Sequence, residues 1–257
     1  MKDFQSGRDA ALPRKLSGVG APRRPYHSQP HLLNSRWLGR VNFAEAFGLQ
    51  EELVAKKREN RDASDELLLV EHEPVYTIGR TPDQSSLVDA AHLPHPLFAI
   101  NRGGQATYHG PGQLIGYPII DLRRCGQDLH RYLRWLEQLL IQTLGIYEIS
   151  ARTRPGLTGV WIDKRKIASI GVGVRHWITM HGFALNVSGD LAPFDRIIPC
   201  GIENVTMTSI EKETGSTFSP EEVGHRVAEI AFHSIANLTT EGPLIQISRH
   251  PDNALLI

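Results

Sequence analysis

Several features that mark large functional classes are scarce or absent in this sequence. Only two cysteines occur, Cys125 and Cys200, and there is no Cys-x-x-Cys and no His-Glu-x-x-His pattern. The 12 histidines therefore form no recognisable metal site, and we expect neither a metal nor another cofactor. No apolar run reaches the roughly 18–20 residues that a membrane span needs. Basic and acidic residues balance at 28 each, which argues against nucleic acid or an anionic membrane as a partner.

The first thirty residues differ in composition from the rest of the chain. Residues 1–30 are rich in Arg, Lys, Pro, Ser and Gly and lack the apolar core of a secretory signal, while Asp3 and Asp9 argue against an organelle transit peptide. We therefore expect a flexible tail over 1–30, followed by a chain long enough for one large domain or two small ones. The two cysteines could form one disulfide, but two isolated thiols in such a chain favour a reducing compartment, and we expect a cytoplasmic protein.

Helical periodicity is confined to separate blocks of the sequence. Apolar spacing predicts an amphipathic helix over about 43–61 and a leucine-rich helix from Asp128, its N-cap, to Gly145, its C-cap. The stretch Ser219 to Glu222 is a capping box with proline at the first helical position, so a third helix should run to about residue 237.

Strands dominate the middle of the chain. Pro118 interrupts one of the predicted strands and suggests that it lies at an edge or contains a bulge. Because helices and strands are segregated, the pattern favours an α+β fold with a mostly antiparallel central sheet flanked by helices over a doubly wound fold. The strands are expected at 31–41, 66–71, 74–80, 97–101, 114–122, 159–162, 166–170 and 177–187.

Cys200 is a candidate nucleophile in an irregular loop expected over 188–205. Its neighbours Pro199 and Gly201 bend the backbone and clear space near the sulfur, as the close approach of a substrate carbonyl requires. The alternative is a buried structural thiol. Cys125, which has no matching base or positioned loop around it, is expected to be an ordinary thiol.

Lys166 begins an apolar strand directly after a polar hairpin turn. It is either an exposed turn lysine, like Lys164, or a partly desolvated ammonium beside Cys200. At about 4 Å and an effective dielectric constant near 20, attraction between a thiolate and an ammonium is on the order of 4 kcal/mol, partly cancelled by desolvation. Such a pair would lower the thiol pKa from about 8.5 by about one to two units. The pair predicts acyl transfer through a thioester.

A glycine-rich stretch runs from Arg102 to Gln113. It lacks the Gly-Lys-Ser/Thr ending of a phosphate loop, so a nucleotide site is weakly supported. The stretch is either a plain turn region or a backbone wall against an acyl chain and its carbonyl, with Tyr108 and His109 as lining. His109 and His181 are each more typical of structural histidines than of acid–base groups.

Five blocks of sequence occur in order and span most of residues 32–216. The blocks are Glu71 to Arg80, Arg102 to Pro118, Lys166 to Gly171, His181 to Asn186, and Pro199 to Gly201. Together they resemble the lipoyl(octanoyl) transferases, the octanoyl-acyl-carrier-protein:protein N-octanoyltransferases of lipoate biosynthesis. This resemblance implies a fold similar to the catalytic domains of biotin and lipoate protein ligases, and a single catalytic domain over 31–257.

The resemblance also implies roles. Cys200 would accept octanoate from octanoyl-acyl carrier protein, and Lys166 would lower the Cys200 pKa and shuttle a proton. The acceptor would be a lysine on a lipoyl domain of a 2-oxoacid dehydrogenase or of the glycine-cleavage H protein. The acyl tunnel would be lined by Arg102, Gly103, Gly104, Gln105, Ala106, Thr107, Tyr108, His109, Ser169, Ile170, Gly171, Gly182, Phe183 and Ala184.

Two other classes of function compete with this interpretation. An ATP-dependent lipoate or biotin-type ligase would share the fold, but it needs no thiolate and does need a nucleotide site. A catalytically silent module that binds carrier protein would not need Cys200 and Lys166. Dependence on ATP discriminates the first class, and formation of a covalent acyl adduct discriminates the second.

Overall fold

A computed structural model describes residues 33–81, 85–87, 89–201 and 205–238 of the chain. The tail expected over 1–30 lies outside the described residues, as do the first two and the last nineteen residues of the domain expected over 31–257. The helices and strands, in chain order, are β1 (Leu33–Val41), α1 (Phe43–Glu59), β2 (Asp65–His72), β3 (Val75–Ile78), β4 (Leu97–Ala99), β5 (Thr107–His109), β6 (Gln113–Ile119), α2 (Leu129–Ile146), β7 (Arg152–Arg154), β8 (Leu157–Ile162), β9 (Arg165–Arg175), β10 (Ile178–Asn186), β11 (Thr206–Met207), α3 (Ile210–Thr214) and α4 (Pro220–Ser234).

The strands form one large sheet and one small sheet. The large sheet has the order β1-β2-β6-β10-β9-β8-β7, and the short strand β11 pairs with β9. Only the β1–β2 and β9–β11 pairs are parallel, and the other pairs of this sheet are antiparallel. The small sheet has the order β4-β3-β5. The predicted α+β fold with a mostly antiparallel central sheet and flanking helices is confirmed.

Helices cover both faces of the large sheet. The larger core packs leucines of β2, β6 and β10 against α2 and α4, as illustrated by Leu69, Leu114 and Leu185. The alternate residues of the same strands, such as Leu68 and Ile115, pack on the other face with Ala46 of α1. This is the period-two alternation of a sheet whose two faces are both buried.

Helix ends follow the capping chemistry with one exception. The Asp128 side chain accepts a hydrogen bond from the Arg131 amide at the start of α2, and both hydrogen bonds of the Ser219–Glu222 capping box are present at the start of α4. The predicted C-cap at Gly145 is wrong, because α2 continues to Ile146 and the left-handed conformation is taken by Glu148. Within the described part of the chain, no helix is long and apolar enough to cross a membrane.

Pro118 lies in a central strand, so of the two predicted explanations for it, an edge position or a bulge, the edge position is wrong. Strand β6 has β2 on one side and β10 on the other. The β6–β10 ladder ends at Gly116–Phe183, before the proline is reached. Beyond that point the Thr179 hydroxyl donates to the Pro118 carbonyl at 2.6 Å and accepts from the Ile120 amide at 2.8 Å. A side chain therefore replaces the ladder where proline has no amide hydrogen to donate.

Candidate active site

The glycine-rich stretch is attached to both sheets. The Gly103 amide donates to the Val172 carbonyl of β9 at 2.9 Å, and the Arg80 amide donates to the Arg102 carbonyl at 3.0 Å. Gly79 allows this close approach, because a Cβ atom there would lie 2.1 Å from the Gly104 carbonyl oxygen. The backbone of the stretch is thus hydrogen-bonded to β9 on one side and to the segment that follows β3 on the other.

The Arg102 side chain crosses the space between the two sheets. Its guanidinium donates to the carbonyl and to the hydroxyl oxygen of Thr77 in β3, at 2.9 and 3.0 Å, and to the Gly103 carbonyl at 2.9 Å. Gly171 leaves room for the stem, because a Cβ there would lie 2.9 Å from the Arg102 Cδ. Arg102 therefore links the glycine-rich stretch to β3 and forms part of one wall of the space between the sheets.

A cavity of about 420 Å³ opens between the glycine-rich stretch and the large sheet. Much of its floor is made by small residues at paired positions of β9 and β10, including Gly171 opposite Gly182 and Ser169 opposite Ala184. Of the residues expected to form an acyl tunnel, the structure places at this cavity Arg102, Gly103, Gly104, Thr107, His109, Ser169, Ile170, Gly171, Gly182, Phe183 and Ala184.

Three of the expected tunnel residues lie elsewhere. Because side chains alternate along β5, Tyr108 points away from Thr107 and His109 and packs against Phe194, with 5.6 Å between ring centroids. Ala106 belongs to the same small core as Tyr108. The Gln105 side chain lies against Gly201, where a Cβ would come within 2.5 Å of its Cδ.

Sequence reasoning missed the apolar side of the cavity. Most of those residues come from α1, α2, β6 and the start of β8 with the turn before it, and the others from β9, β10 and the residue after β4. Apart from His181, a candidate from the sequence, their types carry no functional signal, and most are those of ordinary core residues. The additional lining residues are Phe43, Ile100, Ile115, Tyr117, Leu129, Leu133, Gly156, Leu157, Thr158, Val172 and His181.

His109 is oriented by a buried chain of hydrogen bonds. Its Nδ1–H donates to Gln113 Oε1 at 2.8 Å, Gln113 Nε2 donates to Asn186 Oδ1 at 2.8 Å, and Asn186 Nδ2 donates to the Thr208 carbonyl at 2.9 Å. Since an amide oxygen only accepts, His109 carries its proton on Nδ1, and Nε2 faces the Thr77 hydroxyl at 3.4 Å. This series of hydrogen bonds links His109 in the cavity wall to Thr208, which lies beside β9.

Both histidines at the cavity are neutral near neutral pH. Burial, reinforced by unfavourable electrostatic interactions of a protonated ring with His72 and Arg102, lowers the pKa of His109 to about 3. Burial and the Arg102 guanidinium likewise lower the pKa of His181 to about 3, and its Nε2 lies 2.7 Å from Asn101 Oδ1. These histidines match the structural alternative more closely than a general base with a pKa near the operating pH.

We expect acidification to destabilise the fold through His109 and His181. Each unfolded histidine gains a proton below about pH 6.5, whereas each folded one resists protonation until about pH 3, so stability is lost as the pH falls through that window. At pH 5 the upper limit is about 2 kcal/mol for each histidine. Thermal unfolding at pH 7.5 and pH 5 measures the loss.

The same measurement on two variants assigns the effect. His109→Gln should flatten the dependence of the unfolding midpoint on pH, while His225→Gln, at an exposed position of α4, should leave it unchanged. An equally steep dependence in His109→Gln and in the unaltered protein would contradict the assignment.

Lys166 is buried, so the alternative of an exposed turn lysine is wrong. Its exposed fraction is 1%, whereas Lys164 is exposed. The pairing of β8 with β9 changes register here, because Val160 faces Ala168 while the next residue, Trp161, faces Lys166. Strand β9 therefore contains one additional residue at this point, which is a β-bulge.

Because of the bulge, the Lys166 side chain lies on the opposite face of the sheet from the one that regular alternation predicts. Ala168 and the bulged residue Ile167 both pack into the core under α2, whereas Ser169 lines the cavity on the other face. Strict alternation would place the residue three positions before Ser169 on the α2 face. With the additional residue, Lys166 shares the face of Trp161 and Ser169.

The backbone at Cys200 forms a 3-10 turn, Pro199–Gly201, and the structure describes only the backbone of that cysteine. The Ile198 amide donates to the Ser86 carbonyl at 2.9 Å, and the Ser86 hydroxyl accepts from the Ala106 amide at 3.0 Å. Strand β5 also lies beside the turn. On its N-terminal side the turn is therefore bound, through Ser86, to the glycine-rich stretch at Ala106.

On the C-terminal side of the turn, strand β11 pairs with the strand that contains Lys166. Met207, seven positions after Cys200, pairs with Lys166 in the parallel β9–β11 ladder, and the Thr208 amide donates to the Lys166 carbonyl at 3.0 Å. Strand β8 occupies the other edge of β9 at this point. The segment that carries Cys200 is thus anchored at one end to the glycine-rich stretch and at the other to the strand of Lys166.

Cys125 has a different environment. It is not part of a disulfide, which excludes that alternative, and its exposed fraction is 4%. Its Sγ lies 3.9 Å from the Asp121 carbonyl oxygen, and burial raises the pKa of the Cys125 thiol to about 12. Such a thiol is not ionised near neutral pH and is a poor nucleophile.

The fold resembles those of solved protein ligases. A structure of a bi-partite lipoate protein ligase and its E2 lipoyl domain from Thermoplasma acidophilum matches with a TM-score of 0.58 at 16% identity, covering 80% of this chain and 85% of that one. The biotin protein ligase from Aquifex aeolicus in complex with biotin and ATP matches with a TM-score of 0.52 at 17% identity, covering 80% and 72%. At these identities the likeness concerns the fold alone.

Sequence comparisons are more specific. The model of the lipoyl protein ligase A/B catalytic domain matches residues 42–231. An octanoyltransferase from Geotalea uraniireducens is 53% identical over 190 residues, covering 74% of this chain and 87% of the relative. One from Citrifermentans bemidjiense is 49% identical over 201 residues, covering 78% and 96%. The chain therefore belongs to the lipoyl protein ligase A/B catalytic-domain family and, within it, to the octanoyltransferases, which makes it an acyltransferase.

Proposed function

We propose that the chain transfers an octanoyl group from octanoyl-acyl carrier protein to a lysine of a lipoyl domain through a thioester on Cys200. The observation that carries this proposal is the placement of the Cys200 turn, which is held between Ser86, itself bonded to the glycine-rich stretch at Ala106, and the strand of the buried Lys166. A nucleophile whose segment is bound to two elements that line an apolar cavity suits a substrate with a reactive head and an apolar tail.

The cavity is the site proposed for the acyl chain. Its apolar lining from Phe43, Ile115, Leu129 and Leu133 accepts a hydrocarbon tail, and burial of roughly seven carbons at about 0.8 kcal/mol each contributes on the order of 5 kcal/mol to binding. The backbone of the glycine-rich stretch from Arg102 to Gly104 forms one wall of the cavity. The tail then supplies the binding energy while the thioester carbonyl lies at the opening next to the nucleophile.

In the first half-reaction the Cys200 thiolate attacks the thioester carbonyl of the donor. A new carbon–sulfur bond forms, the bond to the carrier sulfur breaks, and the released thiolate takes a proton. The Lys166 ammonium favours the Cys200 thiolate before the attack and is the proposed proton donor to the leaving sulfur. One thioester replaces another, so no ATP is required.

In the second half-reaction the amine of the acceptor lysine attacks the Cys200 thioester. A carbon–nitrogen bond forms, the carbon–sulfur bond breaks, and the proton lost by the amine is taken up by Lys166 or Cys200. The conversion of a thioester to an amide is downhill and needs no ATP. The proposed acceptors are the lipoyl domains of 2-oxoacid dehydrogenases and the glycine-cleavage H protein, and the similarly folded archaeal ligase belongs to a lipoylation system that includes an E2 lipoyl domain.

Intact-mass measurement tests the covalent intermediate. Mixing the protein with octanoyl-acyl carrier protein in the absence of an acceptor should add one octanoyl group to the chain, and hydroxylamine at neutral pH should remove it. Peptide mapping should place the group on Cys200. A protein that transfers octanoate to the acceptor without ever carrying such an adduct would contradict the mechanism.

Steady-state kinetics distinguishes the transferase from the ATP-dependent ligase. A covalent intermediate predicts ping-pong behaviour, with parallel double-reciprocal lines when carrier protein and lipoyl domain are varied. Transfer should proceed at the same rate with and without ATP. Intersecting lines together with a strict requirement for ATP would favour a ligase acting on free octanoate or lipoate.

A further inference from the structure

Trp161 is the aromatic residue that contacts the buried Lys166. The two residues are directly opposite in the β8–β9 pair, and the exposed fractions are 0% for Trp161 and 1% for Lys166. The Lys166 Nζ lies over the indole, 5.2 Å from the ring centroid. This distance is within the range in which the negative face of an aromatic ring attracts an ammonium, and burial strengthens that attraction.

The absence of a side chain at Gly159 in β8 leaves room for the aliphatic part of the Lys166 side chain to pass over the ring. Gly159 is on the same face of β8 as Trp161 and has a φ of 118°. A Cβ atom at Gly159 would lie 2.9 Å from the Lys166 Cε and 3.5 Å from Nζ. The stem therefore occupies the space that any other residue at position 159 would fill. The bulge at Ile167, the space beside Gly159 and the ring of Trp161 together position the amino group of Lys166.

We propose that Trp161 is a positioning residue of the acyl-transfer site, whose ring face holds the Lys166 ammonium in the orientation that serves Cys200. This inference rests on the proposed role of Lys166. The ring attracts the ammonium but not the neutral amine, so it favours the state with charged lysine and cysteine thiolate over the state with amine and thiol. Weakening the attraction between the ring face and the ammonium should therefore reduce the thiolate fraction of Cys200.

Other charged groups are close to this pair. The guanidinium carbon of Arg154 on β7 lies 5.0 Å from the same ring centroid. On α2, the Glu137 carboxylate accepts a hydrogen bond from the Gly159 amide at 3.4 Å. Arg165, which precedes the lysine, is paired with Glu213 of α3 at 2.8 Å. Because Arg154 shares the ring, a test has to separate its contribution from that of Lys166.

The test is the site-specific replacement of Trp161 by 5-fluoro-, 5,7-difluoro- and 5,6,7-trifluorotryptophan in the full chain. Fluorine withdraws electrons from the ring face while the shape changes little, so only the cation–π attraction is graded. The readouts are the pH dependence of Cys200 alkylation by iodoacetamide, the transfer rate, and the KM for octanoyl-acyl carrier protein. The matched control is the same series at Trp135, a buried indole of α2 whose Nε1 donates to the Ser234 hydroxyl at 3.0 Å.

We expect the apparent pKa of Cys200 to rise stepwise with fluorination at Trp161, by about half a unit over the series, and the thiolate fraction below that pKa to fall about threefold. The KM should stay constant, and the Trp135 series should be flat. In a Lys166→Met background the Trp161 series should also be flat. A flat series in the unaltered chain, or the same slope in Lys166→Met, would overturn the proposal, and the second result would assign the role of the ring to Arg154.

These results remain separable from the mechanism itself. If Lys166→Ala changes neither alkylation nor transfer, the proposed dyad is wrong, and the role of Trp161 is wrong with it. If Lys166→Ala changes both while the Trp161 series is flat, the dyad stands and only the positioning role of the ring is refuted.

Discussion

Cys200→Ser is expected to lose nearly all octanoyl transfer, a decrease on the order of 10³-fold or more. A serine hydroxyl is almost entirely protonated near neutral pH, and it lacks the activating base that a catalytic triad supplies. The turn itself should survive, because the backbone bonds from Ile198 to Ser86 and from Gly201 to Ile198 do not involve the side chain. Initial transfer rates, with thermal unfolding as a check on folding, measure the effect.

Cys125→Ser is the matched control. Cys125 lies in the core beneath α2, its thiol pKa is raised to about 12 by burial, and a serine hydroxyl can still donate to the Asp121 carbonyl. We expect most of the transfer rate to remain, with a loss of stability of about 1 kcal/mol. Equal loss of transfer in Cys125→Ser and Cys200→Ser, with both variants folded, would contradict the assignment of the nucleophile.

Elements with strong local signals were predicted correctly from the sequence. The leucine stripe of α2 with its Asp128 cap, and the Ser219–Glu222 capping box of α4, are local patterns whose energies do not depend on the rest of the fold. The long strands of the large sheet were also recognised, although their ends shift by one to several residues. Propensity and periodicity determine the type of such elements better than their boundaries.

Short elements that exist only through tertiary pairing were missed. Strand β11 has two residues and is a strand because Met207 lies opposite Lys166, and β5 has three residues opposite β3. Helix α3 has five residues between the cap Ser209 and the left-handed Gly215. None of these segments is long enough to show a period, so the sequence contains no separate signal for them.

Register explains why the surroundings of Lys166 could not be predicted. An alternating strand gives the face of each side chain only if no residue is inserted, and the bulge at Ile167 reverses the faces on either side of it. The same limitation applies to the apolar side of the cavity. Leu129 and Leu133 of α2 line the cavity, but by residue type they are indistinguishable from the leucines of the same helix that pack in the core.

Lys166→Ala is expected to raise the apparent pKa of Cys200 by about one to two units and to lower transfer by roughly 10²-fold or more. The loss of transfer should exceed the loss of thiolate, because Lys166 is also proposed to move the proton of the attacking amine. Iodoacetamide alkylation against pH measures the pKa of Cys200, and Cys125 does not interfere because it is buried with a raised pKa. Transfer rates measured on the same samples give the second quantity.

Three further variants separate charge, packing and proton transfer at this position. Lys166→Met keeps most of the side-chain volume over Gly159, so it should reproduce the alanine variant if charge is decisive and should fold better if packing contributes. Lys166→Arg should restore part of the thiolate but little turnover, because a guanidinium does not readily release a proton. Lys164→Ala, in the exposed turn, should change neither quantity. An alkylation profile and a transfer rate that are the same in Lys166→Ala as in the unaltered protein would refute the dyad.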